Sequence, residues 1–457
     1  MLKGRHVLVI GLGESGLSAA EYAAGEGVAS LVLSDSKGRE KFSPKDQQRM
    51  TALESRGARV VFGTQTAELF VGINLVVLSP GVPSFEALRV AEQAGVEVLG
   101  ELELAYRELR RLNPRARVFA VGGTNGKSTV TTLVAALLAA SSPTAHVFAG
   151  GNLGTPLISC VKKPWTDVVL ETSSFQLERA QTFRPEAGVL LNVTDDHLDR
   201  YPSFDAYAAA KGNGFANQLR SDLAVIPNAD PVCLREVKRG QARIATFGYG
   251  DSADVSVDDR AIVDRNTNEA YLRDEIALQG GHNALNVAAA IAMVRDHIEP
   301  QVIREVLRTF AGLEHRMAYV ETIDGVRYYD DSKGTNVGAT VTALLGLSEP
   351  KAVLIAGGRD KGGSYDSLRD ALVKKGRAAV LIGEATPLME AAFADAVVCV
   401  RAASMAEAVK KARELAKGGD AVLLSPACSS FDMFRDYKHR GEEFVLSVRE
   451  EAKKKTA

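Results

Sequence analysis

Residues 120–129 read AVGGTNGKST, entered through the apolar run Val118-Phe119-Ala120-Val121 and continued by the helix-forming TVTTLVAALLAA that begins at Thr129. Strand, glycine-rich turn, Lys-Ser and helix follow one another as in a phosphate-binding loop. The backbone N–H groups across Gly123, Thr124, Asn125 and Gly126, with the positive end of the helix, attract anionic oxygens. In such a loop Lys127 reaches the β/γ-phosphates and the Ser128 hydroxyl faces Mg²⁺. The usual first glycine, six residues before the lysine, is Val121 here, so the motif is a shortened GxxGKS. It predicts a nucleoside triphosphate site in an α/β domain, with the chemistry still open.

The chain has 457 residues, enough for about three domains of roughly 150 residues each. An apolar content of 46% and a charged content of 25% are those of a globular protein. The formal net charge of −2 supplies no basic field for nucleic acid or an anionic membrane. Cys160, Cys233, Cys399 and Cys428 are scattered without a CxxC pair, which points to free thiols in a reducing compartment. The opening MLKGRHVLVIGLG runs straight into a strand and a glycine turn, unlike a signal peptide. No apolar run is long enough to cross a bilayer. A cytoplasmic protein without nucleic-acid or membrane partners is expected.

Before the loop, short apolar runs at 7–10, 30–33, 59–62, 75–78 and 96–99 alternate with amphipathic stretches, the first a helix over 16–25. That alternation predicts a parallel sheet with helices on its faces. Gly11-Leu12-Gly13-Glu14-Ser15-Gly16 after the first strand and Asp35 closing the second form a dinucleotide fingerprint. The motif guarantees a tight turn and a helix N-terminus facing a phosphate-bearing ligand; it does not guarantee a nicotinamide. The polar stretch RRLNPRAR, 110–117, marks a domain boundary.

After the loop, a buried-strand pattern over 167–170 ends at Glu171, where a P-loop domain places a Mg²⁺ ligand. The alternative is an acid complementing a helix dipole. A second apolar strand, 187–193, ends in Thr194-Asp195-Asp196-His197-Leu198-Asp199-Arg200; His197 beside three carboxylates is open to a structural or a metal or phosphate role. SFDAYAAAK, 203–211, reads as a capped helix, and Lys211 on its own reads as a solvated lysine. In the glycine-led helix from 280, Asn283 and Asn286 share one face, and capping or contact with a nucleotide base both remain open.

A second boundary falls at 311–316. Strands at 326–329, 352–356, 378–382 and 421–424 then predict another doubly wound α/β unit. Polar clusters sit at three of its strand ends: 330–336, 357–362 and 425–432. Strand C-termini are the ligand edge of such sheets.

Taken in order, GTNGKST (123–129), ETSSFQLE (171–178), LNVTDDHLDRY (191–201), GGHNALNVAAA (280–290), GLEHR (312–316), DDSKGTN (330–336) and SPACSSFDMF (425–434) make a set that resembles the Mur ligases of bacterial cell-wall synthesis. SPACSSFDMF and GGRDKGG (357–363) resemble the D-glutamate-adding branch. The resemblance implies an N-terminal Rossmann-like UDP-binding domain (1–112), a central P-loop ATPase-like α/β domain (113–312) and a C-terminal Rossmann-like domain (313–457). It implies ATP-dependent addition of D-glutamate to UDP-N-acetylmuramoyl-L-alanine through an acyl phosphate and a tetrahedral intermediate, by a monomer. Lys127, Ser128 and the rest of 123–129 would bind ATP with Asn283, Arg316, Asp331 and Lys333. Ser128 and Glu171 would hold one Mg²⁺, and His197 with a carbamylated Lys211 a second. Ser15, Gly16, Asp35, Ser36 and Asn152 would hold the UDP substrate; Thr335, Lys361, Ser430, Phe431 and Tyr437 would hold D-glutamate. Asp195, Gly334 and Tyr437 depart from the family pattern. The P-loop and the acids at the following strand ends argue against a nicotinamide oxidoreductase; a ligase of the same superfamily with another amino acid or a folate-like acceptor is the nearer alternative.

Overall fold

Three sheets follow one another along the chain in a computed structural model that describes residues 1–196, 200–278, 280–360, 362 and 364–456. The first consists of β1 (His6–Ile10), β2 (Ser30–Asp35), β3 (Arg59–Phe62), β4 (Leu75–Leu78) and β5 (Glu97–Gly100), all parallel in the order β3-β2-β1-β4-β5. The short apolar runs are buried on both faces, as a helix-covered parallel sheet requires. The fifth strand lies one residue later than expected, and the first helix starts earlier, at Glu14–Gly25. Gly16 cannot be replaced in this turn: a Cβ there would lie 1.8 Å from the Gly11 carbonyl oxygen. That close approach seats the helix on the strand.

The second sheet holds β6 (Arg117–Gly122), β7 (Val147–Gly151), β8 (Asp167–Glu171), β9 (Ala187–Leu190), β10 (Leu223–Pro227), β11 (Arg243–Tyr249), β12 (Val255–Val257), β13 (Ala261–Asp264) and β14 (Glu269–Leu272). Their order is β14-β13-β12-β11-β10-β9-β6-β8-β7, parallel from β7 to β12 and antiparallel beyond. β6 is flanked by β8 and β9, so the chain order reverses at β6 and a crevice opens at its C-terminal end. The P-loop leaves the sheet there, between Glu171 on one side and the residues after Leu190 on the other.

The third sheet, β15 (Ala318–Ile323), β16 (Val326–Asp330), β17 (Ala352–Gly357), β18 (Gly376–Ile382), β19 (Val398–Arg401) and β20 (Ala421–Leu424), runs β15-β16-β20-β17-β18-β19, with only β15 antiparallel. The fold is thus three consecutive α/β domains. One apolar core joins the first domain to one face of the second; the first domain has one further core, the second two, and the third two of its own. Among the described residues, no helix is long and apolar enough to cross a membrane.

Candidate active site between the second and third domains

The turn after β6 has its shape because of two glycines. Gly126, at φ +84°, precedes the helix Lys127–Ala140, and a Cβ on it would meet Asn286 Oδ1 at 2.5 Å. Gly123 is also in the positive-φ region, at +140°. Lys127 Nζ donates to the Thr124 carbonyl at 2.7 Å, folded back over the loop. The Ser128 hydroxyl donates to Glu171 Oε2 at 2.5 Å, and Asn152 Nδ2 donates to Glu171 Oε1 at 2.6 Å. Burial pushes the Glu171 carboxyl up, but the Lys127 charge, the Ser128 and Asn152 hydrogen bonds and the Arg316 charge outweigh it. Glu171 therefore stays below its ordinary value and ionised. A buried carboxylate against a hydroxyl, at the foot of an anion-binding loop, is a hard-oxygen donor set that suits Mg²⁺.

Lys211 is not the solvated lysine its helix suggests. Ser203 caps the helix Phe204–Gly212 through a hydrogen bond from Ala206 N, and Lys211 near the helix end is only 4% exposed. Its Nζ donates to the Gly123 carbonyl at 2.9 Å and sits 4.5 Å from the Tyr207 ring centre. Burial and the nearby Lys127 charge hold its pKa well below that of an ordinary lysine. An alanine-rich stretch gives no sign that its last turn packs beneath the P-loop; that contact joins residues 88 apart.

Across the crevice stands the third domain. Arg316, in the connector before β15, donates through Nη2 to Ser128 Oγ at 2.9 Å. Asn336 Nδ2 reaches Asn125 Oδ1 at 3.4 Å. Between the two domains lies a cavity of about 630 Å³. Its walls bring together Thr124, Asn125, Gly126, Lys127 and Thr129 of the loop, Asn152 and Glu171 beside it, and Asn283. Arg316, Asp331, Lys333 and Thr335 close it from the third domain. Asn283 and Asn286 do share a helix face, and Asn286 Nδ2 donates to Asn283 Oδ1 at 3.2 Å. Burial pushes the Asp331 carboxyl up to about 7, against the hydrogen bond from Ser425 and the Arg316 charge.

Other expected residues lie elsewhere. Ser430 is buried and Phe431 is 65% exposed, both outside the cavity wall. Tyr437 also lies outside it, but its ring is 3.9 Å from Lys333 Nζ, which ties it to the cavity's edge. Ser15, Gly16, Asp35 and Ser36 gather at the ligand edge of the first sheet, where Asp35 Oδ2 accepts from Leu12 N at 2.8 Å. His197 and Lys361 lie outside the described residues. Sequence reading missed three supporting groups. Asn192 bonds the P-loop backbone. His315 Nδ1 pairs with Asp330 Oδ2 at 2.6 Å. Arg440, fully buried, binds the Ser332 hydroxyl and carbonyl and the Cys428 carbonyl. Asn192 and His315 fall inside quoted motifs, which was the only available signal.

Comparison with known proteins fits this geometry. Residues 5–100 match the Mur ligase MurD-like N-terminal domain, 121–294 the Mur ligase middle domain, and 315–428 the Mur ligase glutamate ligase domain. The chain is 42% identical over 452 residues to the UDP-N-acetylmuramoylalanine–D-glutamate ligase of Syntrophotalea carbinolica, covering 97% of each chain. It is 42% identical to the ligase of the same name from Aromatoleum aromaticum, covering 98% of each. Among solved structures it resembles Thermotoga maritima MurF ligase in complex with ADP, at a TM-score of 0.62 and 16% identity over 99% of both chains. UDP-N-acetylmuramate–alanine ligase MurC from the same organism gives a TM-score of 0.60 at 19% identity, covering 98% of this chain and 99% of that one. At such identities these two show the shared fold.

Proposed function

Because the chain belongs to the Mur ligase family, we propose that it joins D-glutamate to UDP-N-acetylmuramoyl-L-alanine with cleavage of ATP, in peptidoglycan precursor synthesis. The observation that carries this reading is the single cavity shared by a P-loop, an ionised acid at its foot and the polar strand ends of a separate domain. Phosphate donor and amine acceptor would meet there.

A carboxylate is a poor acyl donor, because its charge and resonance resist an amine. In the proposed reaction an oxygen of the substrate carboxylate bonds to the γ-phosphorus, the bond to the bridging oxygen breaks, and ADP leaves. The D-glutamate nitrogen then attacks the acyl carbon and loses a proton. The tetrahedral intermediate collapses with expulsion of phosphate. Catalysis of this type is mostly positioning and charge neutralisation. Residues 123–129 would cradle the phosphates, with Lys127 moving from the Thr124 carbonyl to them. Arg316 would lie near the γ-phosphate, Asn283 with Asp331 and Lys333 around the nucleotide.

Ser128 and Glu171 would hold one Mg²⁺, which when bound neutralises charge on the phosphate oxygens. A second ion would be held by His197 and Lys211. For Lys211 this needs an anion: its neutral amine would add to CO₂ and release a proton, leaving a carbamate. The burial that keeps the amine unprotonated supports this reading. Ser15, Gly16, Asp35, Ser36 and Asn152 would hold the UDP substrate; Thr335, Lys361, Ser430, Phe431 and Tyr437 would hold D-glutamate. The working units are residues 1–112, 113–312 and 313–457 of a cytoplasmic monomer with no nucleic-acid or membrane partner.

The test is phosphate release from ATP across a panel of amino acids. Release should require both UDP-N-acetylmuramoyl-L-alanine and D-glutamate. Equal rates with L-glutamate, L-lysine or meso-diaminopimelate would overturn the specificity.

A further inference from the structure

Three backbone carbonyls in a row along the P-loop each accept from a side-chain nitrogen. Lys211 Nζ holds Gly123 at 2.9 Å, Lys127 Nζ holds Thr124 at 2.7 Å, and Asn192 Nδ2 holds Asn125 at 3.1 Å. Asn192 does more than the lysines. Its Oδ1 accepts from Asn125 N at 2.9 Å and from Thr124 N at 3.2 Å, while its own carbonyl accepts from Thr124 N at 3.0 Å. The side-chain amide thus grips both polar groups of one peptide residue, as a neighbouring strand would. Asn192 stands just past β9, the strand beside β6, so the grip continues that pairing beyond the end of the sheet.

The three holds differ in what turnover does to them. On the ligase reading, Lys127 leaves the Thr124 carbonyl for the triphosphate, and Lys211 becomes a carbamate. Lys127 is diverted when nucleotide is bound, and a carbamylated Lys211 keeps a single N–H for the Gly123 carbonyl, so neither hold is constant when the loop most needs its shape. Asn192 carries no charge, titrates nowhere near neutrality and has no task in the chemistry.

We propose that Asn192 is a positioning residue for the nucleotide: by holding the Thr124 and Asn125 N–H groups itself it fixes the P-loop tip, so that the phosphates meet a preformed turn and helix start while Lys127 is engaged with them. The inference rests on the ligase reading for what the lysines do, but its effect is on nucleotide binding alone. A loop whose tip must be ordered at binding pays that ordering out of its affinity.

The test is the full chain with Asn192→Ala, titrated calorimetrically with ADP and Mg²⁺, followed by steady-state kinetics. ADP affinity should fall about tenfold, the size expected when three part-buried hydrogen bonds to loop peptides are lost and water replaces most of their worth. KM for ATP should rise in parallel, with KM for the other two substrates within about twofold. ADP affinity that is unchanged or higher overturns the proposal, since the amide would then be idle or a plug on the anion site. If the alanine variant is recovered unfolded, Asn192→Ser is judged by the same two outcomes, its hydroxyl being too short to span Asn125. Calorimetry with ADP requires no turnover, so a wrong amino-acid assignment for the enzyme would leave this result standing.

Discussion

Between the first and second domains the chain is joined by a shared apolar core, whereas the second and third meet through a few hydrogen bonds around a cavity. The helix Glu101–Leu112 contributes Leu102, Leu104, Ala105 and Leu109 to one cluster with Val7 and Leu17 on one side and Val118, Phe148 and Phe183 on the other. Glu103 on the same helix is fully buried, and accepts from the backbone of Gln181, Thr182 and Phe183, from the Thr182 hydroxyl and from Arg107. At the other junction, Arg316 to Ser128 and Asn336 to Asn125 reach across, and the third domain's cores share no residue with the second's. The difference is one of packing: the first two domains share one continuous core, and among the described residues the third is held to them by the fewer contacts. A ligase that must admit three substrates and then exclude water has use for both kinds of joint.

The contrast is open to attack from both sides. At the cavity, substitutions should cost activity and spare stability. Lys211→Ala should lose about 10³-fold in rate, partly restored by a short carboxylic acid in place of the carbamate; near-normal turnover would remove Lys211 from the chemistry. At the joined core the reverse should hold. Glu103→Ala strands three N–H groups, that of Phe183 buried and those of Gln181 and Thr182 part-buried, and should cost about 3 kcal/mol in urea unfolding, with turnover of the folded enzyme within about twofold. Arg316→Ala should raise KM for ATP about tenfold while shifting Tm by no more than a few degrees; a large loss of stability would mean that this residue is structural.

The smallest effect is a pH dependence at the first junction. Glu101 is buried, its carboxylate accepts from Ile158 N at 3.4 Å, and burial pushes its pKa up to about 7 from 4.5. Between those values the folded protein holds a proton that the unfolded chain gives up, so this group's contribution to stability falls as pH rises through that window and levels off above it. Glu101→Gln should therefore match the wild type in Tm near pH 5 and exceed it by a few degrees at pH 8. A constant difference across that range would show that Glu101 does not titrate there.

What could be read from the sequence was local. The P-loop, the Gly11–Gly16 turn and the helix capped by Ser203 each declare themselves within a dozen residues, because glycine geometry and capping chemistry act over one turn. β15 and β19 escaped notice: both are edge strands with part-exposed faces and lack a long apolar run. The extension from β12 to β14 is built of strands of three or four residues and was equally opaque. The supporting groups Glu103, Asn192 and Arg440 each have partners roughly 70 to 110 positions away, and no spacing rule reaches so far. Lys211 shows this most clearly, since its burial follows from where the P-loop folds and not from its own helix.

The central claim is that the UDP-linked carboxylate is activated by direct phosphorylation. The measurement is mass analysis of the phosphate released when UDP-N-acetylmuramoyl-L-alanine, labelled with ¹⁸O in its terminal carboxylate, reacts with ATP and D-glutamate. An acyl phosphate transfers one carboxylate oxygen to the departing phosphate, so one ¹⁸O should appear in inorganic phosphate for each amide formed. Amide formation with unlabelled phosphate would contradict the account.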